Sequence, residues 1–330
     1  LKNQFCKLRS KEEIVEALLV EGTQQERLFE LARRARDEVF SKRVEVRSVI
    51  EYSNVCRQAC RYCGMNVASP IKRYILGDEE VLRSVDRLYR AGRRVIMFQT
   101  GECVMRSYFE KLTRLLGIIK KKYRDLTLMG CLGNLSAGQY KTLRQIGMER
   151  YILKFETSDT GLYKQIKPSD SLANRLSHIY LLKKIGFQVS SGNITGLPSQ
   201  TIGSLADDLL LLKKLDIPMG STSIFIPNDL SEYAGYQAGN IDLTLNFMAI
   251  LRIMCPAMLI PTTSSLELVV KNGQYLGFCA GANVATLHDG TPKIKAKKFI
   301  IYRKDRYEPV ASLLKIIGQA HLEPAGRISL

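Results

Sequence analysis

Apolar residues recur along this chain with two periods that alternate from one end to the other. Residues 11–41 carry helical spacing in two pieces, KEEIVEALL and TQQERLFELARRARDEVFS, the second with Thr23 as its cap and a glutamate at the third position after it. From residue 44 onward, short apolar runs of strand length alternate with helical stretches. The pattern predicts strands at 44–53, 94–101, 126–131, 151–158, 187–196, 221–227, 258–265 and 282–286. Helices are predicted at 78–91, 105–122, 136–146, 159–166, 171–185, 201–215, 241–254 and 309–319. Such alternation builds a parallel sheet, and eight units of it close a barrel. The expected fold is α/β: a (β/α)8 TIM-type barrel over 44–330 with N-terminal capping helices in the extension 1–43, one domain over 1–330. An open six-strand barrel with an extra C-terminal piece is the alternative architecture.

Composition agrees with a substantial buried core. Of the 330 residues, 45% are hydrophobic, and a barrel of this kind needs about 250 residues plus extensions. No apolar run approaches the ~20 residues of a membrane span, and the polar start LKNQFCKLRSKEE does not read as a signal peptide. Eight cysteines, three of them clustered, suit a reducing compartment better than a disulfide framework, so a cytoplasmic protein is expected. The formal charge of +17 is compatible with nucleic acid, an acidic partner or anionic substrates. However, Lys120-Lys121-Lys122 and Lys293, Lys295, Lys297, Lys298 lack the interleaved aromatics of a base-stacking surface. A solvated basic surface fits better, with the first cluster closing a helix at its C-terminal end.

Barrel chemistry gathers at the C-terminal ends of the strands. There this chain places Cys56-Arg57-Gln58-Ala59-Cys60-Arg61-Tyr62-Cys63, then Thr100-Gly101-Glu102, Glu156-Thr157, a Gly192–Gly196 segment and Thr262-Thr263. Three thiolates spaced C-x3-C-x2-C can wrap one metal centre, either an iron–sulfur cluster or zinc. A structural zinc site takes four protein ligands, and here no second C-x2-C exists and His178, His288 and His321 are remote in sequence. A cubane held by three cysteines instead leaves one iron open to a small molecule. Cys6, Cys103, Cys131, Cys255 and Cys279 read as small core or surface residues.

With Tyr62 before its last cysteine, the triad resembles the signature of the radical S-adenosylmethionine (SAM) superfamily. The similarity extends over about residues 44–285 and is most specific to the HydE-like group, which also contains methylornithine synthase and biotin synthase. It rests on EYSNVCRQACRYCG, FQTGE, YILKFET, ANRL, ITGLPSQT, LADDLLLLKKLDIPM, FIP, LTLNFMAILRIM, IPTT and AGANV in that order. The resemblance implies a 4Fe–4S cluster on Cys56, Cys60 and Cys63, and SAM as co-substrate. Thr100, Gly101 and Glu102 would hold its amino group, Glu156 its ribose and Arg175 its carboxylate, with Tyr62, Ile194 and Ile226 against adenine. Read as plain residues, these are also a turn, a helix charge and core side chains. The resemblance further implies substrate contacts from Arg47, Gln99, Thr127, Thr262 and Thr263, and an electron donor such as flavodoxin or ferredoxin. A hydrogenase maturase would act on an organometallic iron–cysteine complex; an amino-acid mutase like methylornithine synthase is the alternative, and a zinc-containing basic nucleic-acid-binding protein a distant one. The chain departs from the HydE pattern at Lys154-Phe155-Glu156-Thr157 and Pro227-Asn228-Asp229-Leu230-Ser231, and Cys255 and Cys279 match no auxiliary cluster. These departures bear on substrate identity rather than on cluster or SAM.

Overall fold

The structure, a computed structural model, describes residues 8, 10–103, 105–302 and 309–329; Cys6 lies outside them. Two helices, α1 (Lys11–Leu18) and α2 (Gly22–Phe40), lead into strand β1 (Arg43–Ser53). The chain then runs α3 (Asp78–Arg90), β2 (Val95–Thr100), α4 (Arg106–Lys122), β3 (Thr127–Cys131), α5 (Ala137–Gln145) and β4 (Met148–Ile152). It continues through α6 (Thr160–Ile166), α7 (Leu172–Ile185), β5 (Gln188–Thr195), α8 (Ile202–Leu215), β6 (Met219–Ile224) and α9 (Ile241–Met254). Then come β7 (Pro261–Thr262), α10 (Ser264–Val269), α11 (Gly273–Cys279), β8 (Val284–Leu287), α12 (Lys293–Ala296), α13 (Val310–Gln319) and β9 (Glu323–Pro324).

Eight strands pair in parallel in the order β6-β5-β4-β3-β2-β1-β8-β7, and β9 adds to the start of β1. The remaining gap, between β6 and β7, is bridged at one residue. The Leu259 amide donates to the Pro218 carbonyl at 2.9 Å, and the Gly220 amide to the Leu259 carbonyl at 3.0 Å. The barrel is thus nearly closed, in the TIM-type (β/α)8 arrangement.

Because successive strand residues face opposite sides, each strand feeds two cores. On β1, Val46, Ile50 and Tyr52 join the outer layer between sheet and helices. Val49 points inward to meet Met97, Met129 and Met219, with Cys131, Ile152 and Leu259 against them. This methionine-rich plug fills the lower barrel with side chains that adapt to an irregular space. Above it the interior is open.

Strand edges differ from the pattern-based expectation. β4 begins at Met148, just after the left-handed turn at Gly147 (φ 95°), and ends at Ile152 rather than continuing to 158: its pairing with β5 stops there, and only the left-handed Glu156 (φ 65°) returns to β5, as an isolated bridge to Asn193. β7 keeps only Pro261–Thr262 of the expected 258–265. Asn283 takes over the ladder there, its side-chain oxygen accepting from the Ile260 amide at 2.8 Å, and Thr263 already caps α10. α2 starts at Gly22 with Glu21 at its cap and no side-chain cap bond, so Thr23 does not cap it. Lys120, Lys121 and Lys122 occupy the last turn of α4, and Lys120 reaches past it to donate to the Leu126 carbonyl at 2.7 Å. No helix among the described residues is long and apolar enough to cross a membrane.

β5 and β6 approach so closely that a Cβ on Gly192 would lie 1.8 Å from the Ser221 carbonyl oxygen. Gly192→Ala should therefore cost about 1–3 kcal/mol of unfolding free energy or more through overpacking. An unchanged urea midpoint would contradict this account of the β5–β6 contact.

Candidate active site

The loop after β1 carries the three cysteines and is held by two polar side chains, the buried Asn54 and the half-buried Arg73. Asn54 donates to the carbonyls of Lys72 (3.1 Å) and Lys298 (2.8 Å) and accepts from the Tyr74 amide at 2.7 Å. Arg73 donates to the carbonyls of Asn54, Met65 and Asn66 at 2.8, 2.9 and 2.6 Å. Both were missed in the sequence, where an arginine near a cysteine loop looks like surface charge. Gly101 lets the segment after β2 approach this loop, since a Cβ there would lie 2.4 Å from the Val55 oxygen.

Cys56, Cys60 and Cys63 line one cavity of about 300 Å³. The Glu102 amide points at the Cys56 sulfur and the Met65 amide at the Cys63 sulfur, each at 3.4 Å. Burial pushes the Cys60 and Cys63 thiols above their ordinary range, with Lys167 opposing it at both. These sulfurs become thiolates readily only beside added positive charge, as a metal centre supplies. Among the described residues no three His, Cys, Asp or Glu side chains converge as around a single metal ion. The donor set offered at the cavity is three thiols, two of them met by directed amide N–H groups, which is the ligand chemistry of an iron–sulfur cluster.

Glu102 had been expected to receive an ammonium; the structure gives its carboxylate other partners. One oxygen accepts from Arg57 (3.0 and 3.2 Å) and Gln58 (2.6 Å); the other accepts from the Asn134 amide (3.0 Å) and faces Arg175 at 3.8 Å. Arg175 also pairs with Asp170 at 3.0 Å and donates to the Tyr163 hydroxyl at 3.2 Å. Burial works against its charge, but Tyr163, Asp170 and Glu102 outweigh that and hold its pKa above the ordinary value. It is a fixed guanidinium in the cavity wall, the group that suits a carboxylate. Thr100, too, is turned locally, donating to the Gly101 carbonyl at 2.6 Å.

Across the cavity, Glu156 stands beyond the end of β4 in left-handed conformation (φ 65°). It is pinned by its amide to the Gly192 carbonyl (2.9 Å) and by its carbonyl to the Ile194 amide (2.8 Å). Asp208 on α8 secures this corner, accepting from the Ser158 amide at 2.6 Å and the Asn193 side chain at 2.8 Å. Ile194 packs with Leu162, Ile166, Leu197 and Phe225, and Tyr62 lies against them. Glu156, Ile194, Ile226 and Tyr62 all border the cavity that holds the cysteines.

Deeper in, Arg47, Gln99 and Thr263 line the cavity, but Thr127 and Thr262 do not. Thr127 opens β3 opposite Val95, below the methionine plug. Thr262 faces outward and donates to the Gln274 carbonyl at 2.9 Å; neighbours on a strand cannot both point inward. Lys154, Ser221, Ser223 and His288 also line the cavity. The serines, two apart on β6, carried a readable signal in their alternation; His288, beyond the predicted end of the last strand, did not.

A parallel barrel with a thiol-rimmed cavity at its C-terminal end has the form of a radical enzyme site, and comparison with known proteins agrees. The radical SAM superfamily model matches residues 50–212. The [FeFe] hydrogenase maturase subunit HydE of Thermotoga maritima is 34% identical over 265 residues, 78% of this chain and 74% of that protein. The 3-methylornithine synthase of Methanosarcina barkeri is 29% identical over 263 residues, 79% of this chain and 74% of that protein. The crystal structure of methylornithine synthase (PylB) superposes with a TM-score of 0.85 at 25% identity, covering 98% of this chain and 96% of that one. The chain belongs to the radical SAM superfamily, whose enzymes use a 4Fe–4S cluster and SAM.

Two stability measurements probe this site. Glu102→Ala strands Arg57, Gln58, the Asn134 amide and Arg175, so it should cost about 3–5 kcal/mol in chemical unfolding; a loss below about 1 kcal/mol would show the node to be dispensable. Burial pushes the Asp208 carboxyl up to about 7 despite its two hydrogen bonds. Its folded pKa thus lies above the unfolded value of about 3.9. The folded protein then binds the extra proton, and Asp208's contribution to stability falls as pH rises from about 4 to about 7. Asp208→Asn should flatten that part of the profile, and an unaltered slope would rule out the raised value.

Proposed function

We propose that this chain is a HydE-like radical SAM enzyme that acts on a small molecule enclosed by the strands. The observation carrying the reading is that the three thiols and the inward side chains Arg47, Gln99 and Thr263 border one and the same cavity. In this reading Cys56, Cys60 and Cys63 hold the cluster, and the amides of Glu102 and Met65 support the outer two sulfurs. Arg175 holds the SAM carboxylate, Glu156 its ribose, and Tyr62, Ile194 and Ile226 pack its adenine. The segment 100–102 meets the amino group through backbone rather than through the Glu102 carboxylate. When bound, cluster and SAM supply a 5′-deoxyadenosyl radical by one-electron reductive cleavage. The methionine plug below and the apolar cluster around Ile194 exclude water from the space where that species is made.

The substrate in a true maturase is an organometallic iron–cysteine complex. The second reading, an amino-acid mutase, is supported by the end-to-end likeness to methylornithine synthase. The reductant is a flavodoxin or ferredoxin type of donor, for which the basic surface offers complementary charge. We take the chain as one working barrel domain, cytoplasmic in location.

Anaerobic reconstitution with iron and sulfide, followed by dithionite and SAM, should yield 5′-deoxyadenosine, and Cys60→Ala should lower it at least ~100-fold, the order of loss expected when a metal-centred catalyst is removed. A colourless protein that never cleaves SAM would overturn the reading. Formation of 3-methylornithine from a panel of basic amino acids would favour the mutase over the maturase.

A further inference from the structure

Lys167 caps the C-terminal end of α6, is 5% exposed, and borders the cavity that holds the three cysteines. Among the described residues its ammonium has no hydrogen-bond or ion-pair partner. Lys164, one turn earlier, shows the ordinary arrangement: it is exposed and donates to the Pro168 carbonyl at 2.8 Å.

Backbone ties hold the Lys167 turn against the cysteine loop. The Arg61 amide donates to the Ile166 carbonyl at 2.9 Å, and the Ala59 amide to the Ser169 hydroxyl at 3.3 Å. The Lys167 amide donates to the Tyr163 carbonyl at 2.9 Å, and its carbonyl accepts from the Asp170 amide at 3.1 Å. Residues on both sides of Lys167 are thus bonded to the stretch between Cys56 and Cys63. Its charge favours the thiolate at Cys60 and Cys63, and at Cys60 it does so more than that of Arg175.

Burying an ammonium without an anion beside it is costly. The carboxylates at this wall already have partners. Asp170 takes Arg175 at 3.0 Å, the Tyr163 hydroxyl at 3.0 Å and the Asn174 side chain at 2.7 Å. Glu156 faces Lys154 at 3.4 Å. That leaves the three thiols, once ionised, as the anions this ammonium can serve. An iron–sulfur cluster on three thiolates carries net negative charge, and an added electron increases it. Potentials of such clusters follow local charge and hydrogen bonds at the sulfurs.

We propose that Lys167 is the cation that raises the reduction potential of the cluster held by Cys56, Cys60 and Cys63. The inference rests on the reading of those cysteines as cluster ligands. Lys167 acts on the reaction through the cluster, by easing its reduction. That step moves one electron from the reductant to the cluster and breaks no bond. A unit charge about 10 Å away, at an effective dielectric of about 20, shifts such an equilibrium by roughly tenfold.

The test is an anaerobic potentiometric titration of reconstituted protein with dithionite, without SAM, followed by electron paramagnetic resonance of the reduced cluster. Lys167→Met should shift the equilibrium toward the oxidised cluster by roughly tenfold, a fall of about 59 mV in midpoint potential. Lys167→Gln, also neutral, should fall by a similar amount, whereas Lys167→Arg should stay within about threefold of wild type. A merely structural lysine would not divide the variants by charge. Iron and sulfide content establishes that each variant is loaded; if Lys167→Met is not, Lys167→Gln carries the test. The proposal is overturned if the neutral variants keep the wild-type equilibrium to within about twofold, or if Lys167→Arg falls as far as they do. Wild-type protein that takes up no iron and sulfide would instead sink the cluster reading on which the inference rests.

Discussion

The Glu102 carboxylate is the interaction on which the rest of the site depends. It accepts from Arg57 and Gln58 in the cysteine loop and from the Asn134 amide after β3, and it faces Arg175 on α7. Elements from four β–α units meet on one buried side chain. Gly133, at φ 75°, is required beside it because a Cβ there would lie 2.5 Å from the Glu102 Cγ. A buried charge of this kind is tolerated only when fully paired, so the loop cannot drift without stranding it. The positions of Cys56 and Cys60 follow from that constraint, as does the fixed direction of Arg175.

The barrel separates two jobs by face. Outward side chains such as Ile50, Phe98 and Leu128 bury the helices and supply the bulk of the apolar burial. Inward ones fall into distinct sets: the apolar cluster of Val49 with three methionines, the polar Arg47, Gln99, Ser221 and His288, and the thiols at the mouth. A chamber that sets polar wall groups beside an apolar cluster can orient a small charged molecule beneath a reactive centre. Pre-formed polar groups there avoid reorganisation when the substrate arrives.

Charge inside the chamber is arranged rather than merely abundant. The +17 of the whole chain is mostly a surface property, and exposed ion pairs such as Arg83–Glu79 contribute little. The buried cations differ: Arg175 sits between two carboxylates, Asp170 and Glu102, while Arg47 shares one, Glu45, with Arg150. The first is a structural anchor that also faces the upper cavity. The second leaves attractive potential at the chamber wall.

The residue pattern alone determined the barrel and the triad, because both signals are local: a period of two or 3.6 within each element, and a fixed spacing among three cysteines. It also placed Glu156 and Ile194 at the mouth, since strand ends are where barrel chemistry collects; Arg175, on α7, was reached only through the family resemblance. Only the tertiary structure decided which neighbours face inward. Thr262 and Thr263 were indistinguishable in sequence, yet β7–β8 pairing turns one out to α11 and the other into the chamber. Thr127 was lost to depth rather than direction, lying beneath the methionine plug. Glu102 found its partners, and His288 met Glu51 across 237 positions of sequence, through ladder register. Register is set by hydrogen bonds to neighbouring strands and by the packing of both faces, and no single strand's sequence contains it.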